Sequence, residues 1–193
     1  MDDIILRELS LNDIKDNLLD KFNRYQEVKK RWENKNGNWT LIDGRYIEDW
    51  DAEKKAARTK FFAELLKGKD GNIFGAYEND YLIGFAVLTN GKFGSKNQYI
   101  QLKYMHVSFG HRHKGIGKKL FEQCIEKARE TGAEKIYISA NDSEDTQRFY
   151  LGVGCKDAME IDAESAEKEP LDRQMEYVIR NPVDTIGKAA RSC

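Results

Sequence analysis

The spacing of apolar residues predicts two helices in the first third of the chain. Across residues 11–32 the apolar positions recur three or four apart, as on one face of an amphipathic helix, and Asn36-Gly37-Asn38 ends the pattern. The same spacing recurs across residues 51–67 among lysines and acids. An apolar run before these segments predicts a first strand within residues 3–9, with Ser10 as a helix cap.

The period of the pattern changes after Gly71. Residues 72–77, 81–89 and 99–107 are rich in the β-branched and aromatic residues that favour strands, and polar turn residues separate them. Glu78-Asn79-Asp80 joins the first two as a hairpin. We therefore predict three consecutive antiparallel strands.

A helical stripe follows these strands over residues 115–131, and alternating residues at 136–140 predict another strand. Because a helix connects the strand at 99–107 to the strand at 136–140, these two strands are expected to be parallel. A short helix is predicted over residues 143–151, with acids in its first turn that suit the positive end of a helix dipole.

Two late strands, at 158–161 and 174–179, complete the predicted mixed α/β sheet, with an acidic loop between them. The chain has 193 residues, which is the size of one domain. We assign residues 1–181 to that domain and residues 182–193 to a C-terminal tail.

Composition narrows the class of partner. The chain is 40% apolar and has a formal net charge of −1, so no overall field favours nucleic acid or a membrane surface. The three cysteines are widely spaced, which fits a reducing compartment, and the acidic start without a long apolar run argues against a leader or a membrane span. We expect a cytoplasmic protein, either a monomer or a homodimer.

The most informative segment runs from the third central strand through a basic glycine turn into the helix at 115–131. Backbone N–H groups at a helix N-terminus bind anions. Gly115 and Gly117 let a bulky group approach the backbone, while Arg112, His113 and Lys114 add positive charge. The turn therefore predicts a site for the diphosphate of a cofactor. A solvated turn that caps an ordinary helix is the alternative.

Two common nucleotide motifs are absent, since the turn fits neither a dinucleotide-binding fingerprint nor a Walker A loop. Arg112-x-x-Gly115-x-Gly117, preceded by Met105-x-Val107, resembles the pyrophosphate loop of the GNAT superfamily of acyl-CoA-dependent N-acyltransferases. The later segment 143–155 also resembles a motif of that family, with Phe149, Tyr150 and Gly154 in place. There it departs from the family pattern at Ser143, Thr146, Val153 and Cys155.

The resemblance implies a GNAT-like fold: a central, mostly antiparallel sheet of six or seven strands flanked by helices, with a splayed parallel pair at the cofactor site. It implies transfer of an acetyl group from acetyl-CoA to a primary amine in a ternary complex. It also implies that Tyr150 is the catalytic residue, which hydrogen-bonds to the departing thiolate or protonates it. The residues expected to bind the cofactor are Met105, His106, Val107, Arg112, His113, Lys114, Gly115, Ile116, Gly117, Lys118, Ser143 and Phe149.

Other interpretations exist for several of these residues. Tyr150 has the spacing of a core aromatic on a helix face. His111-x-His113 lies in a basic loop without a neighbouring carboxylate or cysteine, so we predict no metal. Cys124 lies on the apolar stripe of its helix, which favours packing over a nucleophilic role.

The group that deprotonates the amine is not evident from the sequence. Some family members use a glutamate on the strand before the loop, but Gln101, Lys103 and Tyr104 occupy those positions here. Glu176 is a candidate, with an exposed strand carboxylate as the alternative. The missing glutamate also leaves open a non-catalytic sensor that binds acyl-CoA without turnover. A nucleic-acid-binding module built on residues 112–119 is disfavoured by the near-zero net charge.

The acceptor is expected to contact the early part of the chain. Aromatic residues there alternate with acids, a mixture that suits a cationic amine such as a small polyamine or an aminosugar. A simple surface cluster is the equal alternative. The residues concerned are Trp32, Trp39, Tyr46 and Trp50, with Glu33, Glu48, Asp49 and Asp51.

Overall fold

Residues 4–179 are described by the structure, a computed structural model, and they build a seven-stranded sheet with a separate two-stranded hairpin. The strands are β1 (Ile5–Glu8), β2 (Gln26–Lys35), β3 (Asn38–Glu48), β4 (Gly71–Glu78), β5 (Tyr81–Thr89), β6 (Tyr99–Val107), β7 (Lys135–Ala140), β8 (Lys156–Asp157) and β9 (Arg173–Val178). The helices are α1 (Ala52–Gly68), α2 (Ile116–Glu130), α3 (Glu144–Gly152) and α4 (Ala163–Lys168). The predicted tail, residues 182–193, lies outside the described residues.

The large sheet has the strand order β1-β4-β5-β6-β7-β9-β8. Its neighbouring strands are antiparallel except for β6 and β7, which are parallel and connected through α2. The predicted run of three antiparallel strands is β4, β5 and β6, with Asn79 and Asp80 at positive φ in the first turn. The predicted fold class, a mixed sheet with one parallel pair, is confirmed.

Apolar residues cover both faces of this sheet. On one face, α2 buries Leu120, Phe121 and Cys124 against the central strands, so Cys124 is a packing residue as predicted. On the other face, α1 buries Phe62 against Phe85 of β5. Helix α1 lies where the pattern predicts it, and Asp51 caps it by accepting a hydrogen bond from the Lys54 N–H at 2.8 Å.

The parallel pair separates after three residues. β6 and β7 pair from Tyr99 with Lys135 to Gln101 with Tyr137, and their later residues diverge. On its other side, β6 pairs with β5 through Val107, and a shift of register leaves Lys103 as an extra residue of β6. Since a bulge bends its strand, it helps to turn β6 away from β7.

The helix predicted over residues 11–32 is wrong. The described chain forms a short 3-10 turn at Leu11–Asp13 and then β2, which pairs with β3 as a hairpin. Asn36 and Gly37 occupy a two-residue turn at φ values of 55° and 85°, a turn geometry that matches the twist of a hairpin. Of the apolar residues of the predicted helix face, Phe22 and Val28 are buried nevertheless, whereas Leu11 is exposed.

The strand predicted at 158–161 is also wrong. β8 is the two-residue strand Lys156–Asp157, and the segment expected to be an acidic loop contains α4. Asp162 begins that helix by accepting a hydrogen bond from the Ser165 N–H at 2.9 Å. The last predicted strand is confirmed as β9, and within residues 4–179 no helix is long and apolar enough to cross a membrane.

Candidate active site

A cleft of about 1370 Å³ opens where β6 and β7 separate. Its walls come from β6, the turn before α2, the first turns of α3, the segment around α4, and the start of β2. The ends of elements that are distant in sequence therefore surround one space, which is large enough for a ligand of cofactor size.

One wall of the cleft is a strand edge. Between Leu102 and Val107, β6 bonds to β5 on one side and, within the described residues, has no strand partner on the other. An unpartnered edge presents backbone donors and acceptors to an extended ligand. Met105 and Val107 pack toward the α2 face of the sheet, whereas Tyr104 belongs to the α1 face.

The turn between β6 and α2 ends in a helix N-terminus that faces the cleft. Gly115 precedes α2 with a φ of 78°, and within residues 4–179 no side chain caps this end of the helix. The first N–H groups of a helix lack partners inside the helix, so they are available to an anion. At Gly117, a Cβ atom would lie 3.3 Å from the Phe149 ring, which ties this turn to α3.

Arg112 holds this turn against its surroundings. Its Nε donates to the carbonyl oxygen of Val107 at 3.1 Å, and its Nη2 donates to the carbonyl oxygen of Arg24 at 3.3 Å. Burial, followed by repulsion from Arg24, lowers the pKa of Arg112 from its ordinary value. The side chain lines the cleft, but in this structure its bonds position the loop.

The predicted site residues come together at this cleft. It is lined by Tyr150 and by all of the predicted cofactor-binding residues except Lys114, namely Met105, His106, Val107, Arg112, His113, Gly115, Ile116, Gly117, Lys118, Ser143 and Phe149. Lys114 is exposed and is not among the lining residues. Residues from β6, α2 and α3 thus meet as the two sequence motifs predict.

Tyr150 combines burial with a place on the cleft wall. The residue is 6% exposed, and its ring packs between those of Phe121 and Phe149, with centroids 6.2 and 5.2 Å away. Burial raises the pKa of Tyr150 above its ordinary value, with the negative charge of Asp172 among the smaller causes. Its hydroxyl group therefore stays protonated at neutral pH.

His106 lies on the opposite face of β6 from Met105 and Val107. Its ring packs against Trp50 and Phe85, at centroid distances of 5.1 and 5.4 Å. Burial first, and then three arginines, Arg24, Arg58 and Arg112, hold the pKa of His106 well below its usual range. This histidine is therefore neutral at physiological pH.

Asp172, just before β9, is a cleft residue that the sequence analysis missed. Its Oδ2 accepts a hydrogen bond from the Ser139 hydroxyl at 3.0 Å. Burial and the nearby carboxylates of Glu169, Asp142 and Glu48 raise the pKa of Asp172 to about 6. The sequence analysis missed Asp172 because β9, which begins directly after it, reaches the cleft only by pairing antiparallel with β7.

Glu176, the candidate named from the same segment, lies elsewhere. It is fully buried, accepts hydrogen bonds from Tyr99 and from the Met159 N–H, and pairs with Lys135 at 3.0 Å. It is not among the residues that line the cleft. Its contacts are those of a structural carboxylate.

The predicted aromatic cluster does not form a single site. Of its four rings, Trp50 alone lines the cleft, where the Arg58 guanidinium lies 5.3 Å from its centroid. Trp39 faces Arg173 at 4.7 Å. The Tyr46 hydroxyl donates to Asp142 at 2.6 Å beside a smaller cavity of about 330 Å³.

The histidines of the turn are separated by their contacts. His111 bonds to Glu78 through Nε2 at 3.0 Å, while His113 lies on the cleft wall at a φ of 61°. Among residues 4–179, no three His, Cys, Asp or Glu side chains are grouped as metal ligands.

Comparison of the sequence with protein families identifies this arrangement. Residues 32–154, more than half of the chain, match the model of the acetyltransferase (GNAT) family. The chain belongs to the GNAT acetyltransferase family. The predicted class of enzyme, an acyl-CoA-dependent acetyltransferase with acetyl-CoA as co-substrate, is confirmed by this membership. No curated protein matches the sequence.

Solved structures show how widely the GNAT fold of this chain is shared. Nourseothricin acetyltransferase has a TM-score of 0.65 and 17% identity, over 92% of this chain and 99% of the other. A provisionally named streptothricin acetyltransferase from Bacillus anthracis, in complex with acetyl coenzyme A, has a TM-score of 0.64 and 20% identity, over 93% and 99%. PaiA N-acetyltransferase from Thermoplasma acidophilum, in complex with coenzyme A, has a TM-score of 0.55 and 16% identity, over 91% and 99%.

Proposed function

We propose that this GNAT acetyltransferase passes the acetyl group of acetyl-CoA directly to a primary amine held in the same cleft. One observation carries the proposal: the open edge of β6, Tyr150 and Asp172 all line one continuous space. That space can hold an extended acetyl donor next to a group that can donate a proton and a group that can accept one. Holding two reactants in one geometry lowers the entropic part of the barrier to their reaction.

The residues around the open edge of β6 suit the donor. In this proposal the first N–H groups of α2 bind the diphosphate, and Gly115 leaves room for it. The edge from Leu102 to Val107 bonds to the amide-bearing arm of the donor, as an added strand would. Acetyl-CoA supplies a thioester, whose carbonyl carbon is open to attack by an amine.

Asp172 takes the proton from the attacking nitrogen. A lysine-like ammonium has a pKa of about 10.4, but the nitrogen becomes far more acidic as its bond to the carbonyl carbon forms. A carboxyl group with a pKa of about 6 is ionised at neutral pH and is a stronger base than an ordinary aspartate. The neutral His106 on the same wall adds no competing positive charge.

Tyr150 gives a proton to the departing sulfur. Its raised pKa keeps the hydroxyl protonated at neutral pH, so the group is in the form that can hydrogen-bond and donate to the sulfur as the carbon–sulfur bond breaks. In the balanced step the nitrogen–carbon bond forms and the carbon–sulfur bond breaks. A neutral amine loses one proton to Asp172, the sulfur gains one from Tyr150, and proton return from Asp172 to Tyr150 restores both groups.

Incubation with acetyl-CoA and a panel of primary amines, followed by measurement of released thiol, tests the proposal. We expect thiol release that depends on the amine, and an amide product with a mass increase of one acetyl group. Thermal stabilisation by acetyl-CoA without thiol release from any amine would instead identify a sensor. A double-reciprocal pattern of parallel lines would contradict direct transfer, because it indicates an acetylated enzyme.

A further inference from the structure

Arg58 of α1 lies on an aromatic platform inside the cleft. Its guanidinium carbon is 3.7 Å from the centroid of the Tyr104 ring, while Trp50 and Phe61 lie beside it at 5.3 and 5.9 Å. Stacking on an aromatic face is a favoured arrangement for arginine, and it leaves the edge of the guanidinium fork available to a ligand.

This guanidinium group has no ionic partner among residues 4–179. Its Nε is buried and makes no hydrogen bond there, and no carboxylate of the described residues pairs with it. The other three arginines that line the cleft are engaged: Arg24 pairs with Glu48, Arg148 pairs with Glu144 at 2.8 Å, and Arg112 bonds to two carbonyl oxygens. Since a buried polar group usually has a hydrogen-bond partner, Arg58 is the cleft arginine whose missing hydrogen bonds a ligand would supply.

Charge is distributed unevenly across the cleft. Arg24, Arg58 and Arg112 all act on His106, and the Glu48 carboxylate is the partner of Arg24. At the end of β7 the charges are negative, because Asp172 experiences the carboxylates of Glu169 and Asp142. The cleft therefore has a positive side around His106 and a negative side around Asp172.

We propose that the amine acceptor carries a carboxylate, which Arg58 binds, while its amino group lies toward Asp172. The acceptor class is thus an amino acid or a closely similar zwitterion. A planar carboxylate accepts two parallel hydrogen bonds from a guanidinium fork. A polycation is disfavoured, because the Arg58 guanidinium already lies beside the Trp50 ring and would repel another positive charge there. The inference rests on the proposed function, because it names the acceptor of that same reaction.

Matched acceptors test the inference. We would compare straight-chain amino acids bearing a terminal amine and two to six carbons with their carboxamides and with the corresponding simple amines. For the best chain length, kcat/KM for the acid should exceed that for the amide on the order of 30- to 100-fold, as expected for a bidentate charged hydrogen bond. Equal turnover of acid and amide would overturn the inference and leave the proposed function intact.

Variants separate recognition from folding. Arg58→Gln should remove most of the preference for the acid and leave turnover of the amide within about threefold, whereas Arg58→Lys should keep part of the preference. Lys60→Gln removes a charge from an exposed position on the same helix and should change neither. An Arg58→Gln variant that lowers acid and amide turnover equally would show a structural role and overturn the inference. If no amine is acetylated although acetyl-CoA binds, the proposed function itself fails.

Discussion

Two side chains of the cleft, those of Tyr150 and Asp172, have raised pKa values with opposite consequences. Burial keeps the Tyr150 hydroxyl protonated, so it can donate. Burial and neighbouring carboxylates bring the pKa of Asp172 to about 6, so it is ionised at neutral pH yet accepts a proton readily. Groups whose environments suit them to opposite proton transfers are typical of an acid and a base in one active site.

Asp172→Asn tests the assigned base. Since Asn cannot accept the proton, kcat should fall about 100-fold or more. In the wild type, kcat/KM should rise with pH through about 6, because Asp172 must lose its proton before it can act. The variant should lack that rise. Measured pH profiles of both proteins check this, with the exposed Glu164→Gln of α4 as the control. If kcat/KM of the variant rose with pH as in the wild type, a group other than Asp172 would be the base.

Tyr150→Phe distinguishes a catalytic hydroxyl from a core aromatic. The variant retains the ring that packs against Phe121 and Phe149, so stability should change by less than about 1 kcal/mol. Loss of the proton donor should lower kcat on the order of 100-fold, while the affinity for coenzyme A stays near that of the wild type. Calorimetric titration and steady-state kinetics give the two quantities. Full activity in the folded variant would leave Tyr150 with a packing role.

At the scale of elements, the turn into α2 supports donor binding through its backbone. Gly115 has a φ of 78°, a conformation that costs other residues about 1 kcal/mol, and it lies on the cleft wall at the N-terminus of α2. The nearby Gly110 lies in open space and has no positive φ. The two glycines therefore form a natural pair for comparison.

Gly115→Ala should weaken coenzyme A binding, because a strained turn no longer holds its N–H groups in place. We expect the dissociation constant to rise on the order of tenfold. Gly110→Ala places its methyl group in open space and should leave the constant within about twofold. Titration calorimetry with coenzyme A measures both. If the two variants bound coenzyme A with equal affinity, the conformation of this turn would not contribute to donor binding.

The sequence predicts most elements of the central sheet because their patterns are local. It fails at residues 11–32, where a three-or-four spacing of apolar residues occurs in a loop and a strand as well as in a helix. There Asn36-Gly37 is the better signal, since this dipeptide favours a hairpin turn. The pattern of residues 108–115, the turn between β6 and α2 that is called the donor loop after its proposed role, is likewise local. Asp172 reaches the cleft through the pairing of β7 with β9, which no local pattern encodes.

At the scale of the whole molecule, the β2–β3 hairpin lies outside the main sheet yet forms part of the cleft. The Trp32 N–H donates to the carbonyl oxygen of Asp142 at 2.7 Å, and Gln26 donates to the Ser143 hydroxyl at 3.3 Å. Arg24 joins this hairpin to the donor loop, because it pairs with Glu48 while its carbonyl oxygen accepts from Arg112. The hairpin and the donor loop are therefore coupled through one buried arginine.

Glu48→Gln tests that coupling. The Arg24 side chain is 7% exposed, and loss of its ionic partner leaves a buried charge only partly satisfied. Because Glu48 itself is 36% exposed, we expect a moderate loss of about 1–2 kcal/mol in the free energy of unfolding, measured by urea denaturation. Coenzyme A binding should weaken as well, since Arg112 then bonds to a less ordered partner.

Glu33→Gln provides the matched control, because Glu33 lies on the same hairpin and pairs with the exposed Lys35. Because that pair is exposed to solvent, its loss should leave both stability and donor binding nearly unchanged. If Glu48→Gln lowered stability without changing coenzyme A affinity, the hairpin would be a passive wall. If Glu48→Gln lowered both stability and coenzyme A affinity, the β2–β3 hairpin would also hold the donor loop in place. Arg24 would then link the proposed sites of the two substrates.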